Sequence, residues 1–225
     1  MLKAAKSKWF ERLFAPYNRN LFRRRFDSFR VFGIENVRDR NESTPLLLFA
    51  NHVSWWDGLA AFEISRKARL DAYLMMEERQ LRRLQPFRLL GAFSVVREDA
   101  RQALISVRYA AGLLREDPSR ALWIFPQGEI RSFGRRPLEF YSGASRIAEK
   151  AGSCFAVPVA FRYEFGGEFK PDVYARIGEG RVLDLNGAAE RKAATARMES
   201  WLIREMDLLR EDVIDKNFGD YSVIL

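Results

Sequence analysis

One histidine and one aspartate stand five positions apart, directly after an apolar run of the chain. His52 is the only histidine, and it follows the run Leu46–Ala50, with Asp57 beyond two tryptophans. A neutral imidazole can take a proton from a hydroxyl near neutral pH. A carboxylate on its other nitrogen fixes the tautomer and stabilises the imidazolium that forms. The spacing therefore indicates a general base held at the end of a strand.

A structural role for the same histidine is the alternative. A lone histidine beside a buried strand is commonly a hydrogen-bonded core residue, and a motif without context is only a hypothesis. Cys154, the only cysteine, is a poor competing nucleophile because no second histidine is present to activate it. A single cysteine also excludes an internal disulfide, so we expect a reducing compartment. We interpret Cys154 as a small buried residue.

The chain combines a strong positive charge with a size that suits one larger domain. Its 225 residues, 48% of them hydrophobic, can bury a sizeable core. The net charge is +8 and the pI is about 9.8, which indicates an anionic partner: a nucleic acid, a membrane surface or a phosphorylated substrate. The sequence contains no nucleic-acid-binding signature, and its basic residues concentrate around an aromatic N-terminal segment. We therefore expect no nucleic-acid partner.

Residues 1–45 form a basic, aromatic segment that we expect to be amphipathic. Apolar side chains recur at helical spacing on both sides of Pro16, which predicts a break between two helical stretches. The apolar positions are Trp9, Phe10, Leu13, Phe14, Tyr17, Leu21, Phe22, Phe26 and Phe29, and the interleaved arginines are Arg19, Arg23, Arg24, Arg25 and Arg30. The pattern favours a helix lying on anionic lipid, and a helix that packs its aromatics on the core is the alternative.

Apolar runs in the sequence are too short to cross a bilayer, which takes about 20 residues. The N-terminus also lacks the uninterrupted apolar stretch of a secretory signal, since charged residues punctuate it. We therefore expect a peripheral protein on the cytoplasmic face of a membrane, without a transmembrane span.

Strand and helix patterns alternate over residues 46–225, which we predict to be the main domain. Apolar runs of about four to eight residues predict strands, and a 3.6-residue period predicts helices. Predicted strands cover 46–50, 71–76, 92–96, 120–125, 155–165 and 173–177, and predicted helices cover 58–67, 77–90 with a break at Pro86, 99–116, 142–151 and 188–213. This alternation indicates an α/β fold, with a largely parallel sheet covered by helices on both faces and preceded by the amphipathic N-terminal helical segment.

Three further clusters fall at ends of predicted strands, where open α/β sheets place their ligand sites. The first ends in Arg97, whose guanidinium either holds a phosphate or pairs with a neighbouring carboxylate. The second is the loop 125–132, a sharp turn at proline and glycine that exposes backbone N–H groups and carries Arg131. The third contains Pro158 inside an apolar run, which predicts an edge strand or a bulge near a site.

In this order, the segments resemble the motifs of the glycerolipid acyltransferase superfamily, which includes glycerol-3-phosphate and lysophosphatidate acyltransferases. Asn51-His52 through Asp57 matches the first motif, Asn-His, four residues, Asp. Gly91 and Arg97 match the second, a glycine followed six residues later by an arginine. Residues 125–132 correspond to the third, usually Phe-Pro-Glu-Gly-Thr-Arg-Ser, and 157–159 to the Val-Pro-Val-type fourth. The resemblance covers roughly residues 45–180.

The resemblance implies an O-acyltransferase that takes its acyl group from a thioester, acyl-CoA or acyl-carrier protein, and passes it to a lipid hydroxyl such as that of a lysophospholipid. His52 is then the general base, and Asp57 orients it. The implied substrate-binding residues are Arg97, Phe125, Pro126, Gln127, Gly128 and Arg131. The resemblance implies no metal, no cofactor besides the thioester co-substrate, and no covalent acyl-enzyme.

The third motif departs from the usual pattern. Gln127 stands where the family has glutamate, and one additional residue separates Gly128 from Arg131. Acceptor contacts made at this motif therefore do not transfer directly to the chain. Two alternatives stay open: the same chemistry on a sugar, carotenoid or other lipid hydroxyl, and a non-catalytic basic protein that binds a membrane or a nucleic acid.

Overall fold

A nine-stranded sheet with helices on both faces forms the protein. The structure is a computed structural model that describes residues 1–225. The strands are β1 (Phe29–Phe32), β2 (Leu46–Ala50), β3 (Asp71–Glu77), β4 (Ala92–Val95), β5 (Arg120–Ile124), β6 (Cys154–Glu164), β7 (Asp172–Ile177), β8 (Arg181–Leu183) and β9 (Ser222–Val223). The helices are α1 (Lys8–Arg25), α2 (Glu35–Arg38), α3 (Asp57–Lys67), α4 (Glu78–Arg83), α5 (Ala100–Glu116), α6 (Gly143–Ala151) and α7 (Ala188–Ile214), and a 3-10 helix covers Gln85–Leu90.

The sheet is parallel where the predicted strands and helices alternate. Its order is β4-β3-β5-β2-β6-β7-β1-β9, and β8 also pairs with β6. The first five strands of this order are mutually parallel, whereas β7 and β8 run antiparallel to β6. The carboxyl ends of β2, β3, β4, β5 and β6 therefore meet at one edge of the sheet, which we call the carboxyl edge. This is the edge at which open α/β sheets bind their ligands.

Two apolar cores cover the two faces of the sheet. One core packs α5, α6 and α7 against the sheet through side chains such as Leu114, Ile147 and Leu202. The other packs α1 and α3 against the opposite face through side chains such as Phe22 and Ile64. The predicted fold class is therefore confirmed, and the bounds of the predicted elements between residues 46 and 214 lie within a few residues of the observed ones. None of the helices is both long and apolar enough to span a membrane.

The predicted break at Pro16 is wrong, because α1 continues through it as one helix of 18 residues. Proline removes one backbone hydrogen bond and crowds the preceding turn, which costs a helix about 3 kcal/mol. Pro16 is exposed, so water can solvate the carbonyl that it leaves free. On either side of it, Phe14 packs edge-on against Phe62, and the buried Phe22 packs in the core. These anchors hold both halves of the helix in line.

The N-terminal segment is divided between the core and the surface. Phe22, Phe26 and Phe29 are buried, as the core-packing alternative predicts. Trp9, Leu13 and Tyr17, which the lipid-facing alternative needs, are exposed. Strand β1 also falls within residues 1–45 and pairs in parallel with β7 of the main sheet.

Pro158 lies in an internal strand, so the edge-strand alternative is wrong. It pairs with Phe49 of β2 on one side of β6. On the other side, β8 pairs with residues up to Ala156, and β7 takes over from Val159. Proline has no N–H to donate, and it occupies the place where the partner strand changes. Its carbonyl accepts the N–H of Gly178, 3.0 Å away, in the connection between those two strands.

Candidate active site

His52 and Asp57 form a hydrogen-bonded pair at the carboxyl edge. His52 follows β2, and Asp57 begins α3, so a loop of four residues separates them. Nδ1 of the imidazole lies 2.7 Å from Oδ2 of Asp57. A carboxylate only accepts hydrogen bonds, so Nδ1 carries the proton and Nε2 keeps its lone pair. The imidazole is partly exposed, whereas Asp57 is buried. The imidazole is therefore accessible as a base, whereas the carboxylate that orients it is shielded from water.

The Asp57 carboxylate receives four donors. Besides the imidazole, Oδ2 accepts the backbone N–H groups of Val53 at 2.8 Å and Ser54 at 2.9 Å. Oδ1 accepts the hydroxyl of Tyr163 at 2.8 Å. Asp57 also sits in the first turn of α3, where the helix dipole favours negative charge. These contacts compensate the cost of burying the charge and fix the plane of the carboxylate.

Tyr163 is a part of the site that the sequence analysis missed. It lies near the carboxyl end of β6, more than a hundred positions after Asp57, and only the folding of β6 beside β2 brings the two together. Burial, and then the adjacent Asp57 carboxylate, raise the pKa of Tyr163 well above its ordinary value. The phenol therefore stays protonated and donates to Asp57 at any working pH. No local pattern in the sequence marks this tyrosine.

Asn51 fixes the end of β2 on which His52 is mounted. Its side-chain amide donates to the carbonyl of Phe161 at 2.9 Å and accepts the N–H of the same residue at 2.7 Å. Asn51 is fully buried, so both bonds are shielded from water. The amide thus continues the pairing between β2 and β6 where the β2 backbone leaves the sheet. The asparagine of the first motif has a structural role here.

The loop after β5 holds His52 from a second side. The ring of Phe125 stacks on the imidazole, with centroids 4.6 Å apart. Oε1 of the buried Gln127 accepts the backbone N–H of His52 at 2.8 Å. Pro126 accepts the backbone N–H of Tyr141 at 2.9 Å, which closes the loop on itself. Of these predicted substrate-binding residues, Phe125 and Pro126 line the cavity described below, and Gln127 instead supports the base.

Gly128 makes room for Arg97. Its φ is +72°, a left-handed conformation that glycine adopts without strain. A Cβ at this position would lie 2.6 Å from Nη1 of Arg97, a distance that forces one group to move. The tight turn predicted at Pro126 to Gly128 is therefore confirmed, and its function in the structure is to let the guanidinium lie against the backbone.

Arg97 is a cation without a carboxylate partner at the cavity wall. It follows β4, its guanidinium lies 6.0 Å from the centroid of the Tyr141 ring, and its buried Nε has no hydrogen-bond partner. The nearby Asp99 is occupied, since its side chain caps α5 by accepting the N–H groups of Arg101 and Gln102. An unpaired guanidinium facing a cavity is suited to holding a phosphate or another anion.

Arg131 differs from Arg97 because carboxylates already neutralise it. Its guanidinium forms ion pairs with Glu129 and Glu139, and Nη1 donates to the carbonyl of Leu138. Its backbone N–H donates to the carbonyl of His52 at 2.8 Å. It is not among the residues that line the cavity. The structure therefore brings the backbone of Arg131 to His52, while its side chain stays outside the cavity.

A largely apolar cavity of about 940 Å³ opens beside His52. Its wall follows α3 from Gly58 to Arg66, a rise of about 12 Å. Strand β3, the 3-10 helix and α5 complete it. Its larger apolar side chains include Leu59, Phe62, Leu70, Leu74, Met76, Phe87, Leu90, Val95, Leu104 and Val107. Four arginines also line the cavity, Arg66, Arg69, Arg97 and Arg146, and of these Arg97 lies against Gly128 in the loop that supports His52.

Cys154 takes no part in this site. It is fully buried in the core beneath α7, and it is not among the cavity residues. Burial raises the pKa of its thiol to about 12. The thiolate is therefore absent near neutral pH, and the interpretation of Cys154 as a small buried residue is confirmed.

Comparisons with known proteins point to one chemistry. The family described as Acyltransferase matches residues 28–162, a range that holds His52, Asp57, Arg97 and the loop after β5. No curated protein matches the chain. Among solved structures, the 1-acyl-sn-glycerophosphate (LPA) acyltransferase PlsC from Thermotoga maritima is similar, with a TM-score of 0.61 and 20% sequence identity. The similarity covers 88% of this chain and 79% of that chain, and at this identity it shows a shared fold.

Proposed function

Because this chain belongs to the acyltransferase family, we propose that it moves a fatty acyl group from a thioester to the hydroxyl of a lipid acceptor such as a lysophospholipid. The observation that carries the proposal is the His52–Asp57 pair beside an apolar cavity. A base is needed because an alcohol is a weak nucleophile near neutral pH. An apolar cavity is needed because the acyl chain must leave water.

In the first step, Nε2 of His52 removes the proton of the acceptor hydroxyl while its oxygen attacks the thioester carbonyl. The carbonyl π electrons move to the oxygen, and a tetrahedral oxyanion forms. Asp57 holds the Nδ1–H tautomer and stabilises the imidazolium. General-base assistance of this kind contributes on the order of 10²- to 10⁴-fold. Positioning of the two substrates supplies a further large part of the rate.

In the second step, the oxyanion collapses and the carbon–sulfur bond breaks. The electron pair of that bond leaves with sulfur, and the imidazolium returns its proton to the thiolate. The products are an ester and a free thiol, and His52 is regenerated as the neutral base. The acyl group passes directly between the substrates, so no covalent acyl-enzyme forms.

The apolar cavity is the site that we assign to the acyl chain. Its volume lies at the upper end of the range of about 300 to 1,000 Å³ found for ligand pockets. Its wall follows α3 away from the base, so a chain whose carbonyl lies near His52 can extend along Leu59 and Phe62. Acyl-CoA and acyl-carrier protein both present such a chain as a thioester, and either serves as the donor in this proposal.

The unpaired Arg97 favours an acceptor with an anionic group, such as the phosphate of lysophosphatidate. Its guanidinium lies against Gly128, in the loop that also holds His52. The alternative acceptors, a sugar, a carotenoid or another lipid hydroxyl, rest on Gln127 and on the additional residue between Gly128 and Arg131. The Gln127 side chain bonds to the backbone of His52 and does not line the cavity. The glutamine therefore does not argue against a phosphorylated acceptor.

We also infer that the protein works as a peripheral protein on an anionic membrane surface, because its acceptor is a lipid and its net charge is +8. From its pattern of aromatics and arginines, the N-terminal segment is one candidate for this contact, and its Trp9, Leu13 and Tyr17 are exposed.

An acyl-transfer assay with defined substrates tests the proposed function. The full chain is incubated with palmitoyl-CoA or palmitoyl-carrier protein, and with lysophosphatidate or the neutral monoacylglycerol of the same chain length. Products are identified by mass spectrometry. The proposal predicts diacylated product with lysophosphatidate and much less with the neutral acceptor. Absence of product with every pair, for a folded protein, contradicts it.

A further inference from the structure

Large apolar side chains are exposed on three loops at the carboxyl edge of the sheet, which we now call the catalytic edge because the proposed base lies there. They follow the carboxyl ends of β2, β5 and β6, which are neighbours in the sheet and stand roughly 5 Å apart. The side chains are Trp55 after β2, Ile130 and Tyr141 after β5, and Phe165 and Phe169 after β6. Single exposed apolar residues are ordinary on a protein surface, but a group on one edge marks an interaction site.

The turn between β6 and β7 lies beyond the end of the neighbouring strand β2. Strand β2 ends at Ala50, opposite Val159, and β6 runs on for five residues to Glu164. Five residues of strand add about 16 Å. Tyr163, which bonds to Asp57, is the last residue but one of β6, so the turn lies beyond the level of the dyad.

Two phenylalanines occupy this projecting turn. Phe165 is 68% exposed and Phe169 is 97% exposed. The hydrophobic effect opposes leaving two aromatic rings in water, and burying each ring in an apolar medium is favourable. Nothing within the chain covers them. Their exposure is explained by a partner that is apolar and that meets the catalytic edge.

Basic residues flank the same turn. Nζ of Lys170 donates to the carbonyl of Arg23 at 2.7 Å, so the C-terminal end of α1 lies beside the turn. Arg23, Arg24 and Arg25 end that helix and are exposed. Glu168 is the one acidic residue between the two phenylalanines. Four cations beside two exposed phenylalanines are complementary to an anionic lipid surface.

We propose that the catalytic edge is the membrane-docking face, and that Phe165 and Phe169 insert into an anionic bilayer while Lys170 and Arg23 to Arg25 contact its headgroups. The inference rests on the proposed function, because docking at this edge delivers a lipid acceptor from the bilayer to the neighbouring base. Trp55, Ile130 and Tyr141 line the cavity as well as the edge. They form an apolar path between the bilayer and His52.

This docking face differs from the one that the N-terminal aromatics indicate. Helix α1 begins near Leu89, just before β4, at the edge opposite the dyad, and it ends beside Lys170. About 24 Å of helix axis separate Trp9 from Arg25. Docking through the catalytic edge therefore leaves Trp9 and Leu13 far from the headgroups.

Vesicle binding by two matched double variants distinguishes these faces. One variant carries Phe165→Ser and Phe169→Ser, and the other carries Trp9→Ser and Leu13→Ser. All four side chains are largely exposed, so neither variant removes core packing, and circular dichroism with a thermal melt verifies each fold. Binding of the full chain is measured by co-sedimentation with phosphatidylcholine vesicles that contain or lack 30% phosphatidylglycerol, and no substrate is present.

We expect the turn variant to bind anionic vesicles at least tenfold more weakly than the unmodified chain, and the α1 variant to bind within about twofold of it. Vesicles without phosphatidylglycerol should bind the unmodified chain at least fivefold more weakly. The inference is overturned if the turn variant binds like the unmodified chain, if the α1 variant alone is released, or if the unmodified chain does not bind anionic vesicles.

A parallel assay separates this inference from the proposed function. The turn variant should keep its rate on a short-chain, water-soluble lysophosphatidate and lose rate on the same acceptor chemistry embedded in vesicles. Transfer to the soluble acceptor together with unchanged vesicle binding contradicts the docking face alone. Absence of transfer by the unmodified chain contradicts the proposed function alone.

Discussion

The hydroxyl of Tyr163 lies 2.8 Å from Oδ1 of Asp57, while the imidazole of His52 occupies the other oxygen of the same carboxylate. The tyrosine touches no reacting atom in the proposed mechanism, so it is a positioning residue. Its phenol holds the carboxylate in the plane that aims Nδ1–H of His52. The geometry of such a hydrogen-bonded network depends on each of its members.

Tyr163→Phe tests that network, because it removes one oxygen and almost no volume. A hydrogen bond to a charged group is worth about 1.5 to 3 kcal/mol, so we expect kcat to fall about tenfold or more with little change in either KM. Steady-state kinetics measure kcat and the KM of each substrate separately. Tyr174→Phe is the control, because this buried tyrosine donates to Asp172 at 3.2 Å, away from the dyad. Equal losses in the two variants would assign Tyr163 a purely structural role.

Arg97→Ala separates anion binding from chemistry. Arg97 has no carboxylate partner and lies against the loop that supports His52, so loss of its guanidinium should raise the KM for lysophosphatidate about tenfold or more and change the KM for the donor little. Arg97→Lys should restore the acceptor KM only in part, since an ammonium lacks the planar fork.

Arg131→Ala is the matched comparison for Arg97, and it tests the sequence-based prediction that Arg131 contacts substrate. Its ion pairs with Glu129 and Glu139 lead us to expect lower thermal stability without a selective rise in the acceptor KM. A larger acceptor effect at Arg131 than at Arg97 would reverse the assignment of the two arginines.

Phe22→Ala tests whether α1 belongs to the folded core. Phe22 is buried and stacks on Phe29 of β1, so the substitution should lower the free energy of unfolding by about 3 to 5 kcal/mol. Chemical denaturation measures it, and Trp9→Ala at the exposed end of the helix should change stability by no more than about 0.5 kcal/mol. A small effect at Phe22 would mean that α1 is only loosely attached. Deleting residues 1–30 would remove this packing altogether.

The sequence was sufficient for the strands and helices between residues 46 and 214 with the exception of the short strand β8, because period and turn residues are local signals. The apolar run Leu46–Ala50 predicts a buried strand without reference to distant residues. The alternation of strands and helices after it predicts parallel pairing, which is observed. The same local rule failed at Pro16, where contacts on both sides of the proline outweigh its helix-breaking tendency. The spacing of apolar residues along the chain does not specify these tertiary contacts.

The candidate site was predictable in part for the same reason. His52 and Asp57 belong to one loop, so their pairing follows from local spacing. Tyr163 contacts Asp57 only because of the register in which β6 pairs with β2. The exposure of Phe169 depends on the length by which β6 extends beyond the end of β2. The motif predicts that Gln127 contacts substrate, whereas its amide holds the backbone of His52. These relationships are set by long-range pairing.

The rate of acyl transfer by His52→Ala tests the central claim most directly. His52 is the only histidine, so no other imidazole can replace it, and the protein is purified without a histidine tag. With its fold verified by circular dichroism, this variant should lose at least 10²- to 10⁴-fold in kcat, the usual contribution of a general base. Asp57→Asn should lose much of the rate because the amide favours the wrong tautomer. Near-unchanged turnover by folded His52→Ala protein would contradict the account.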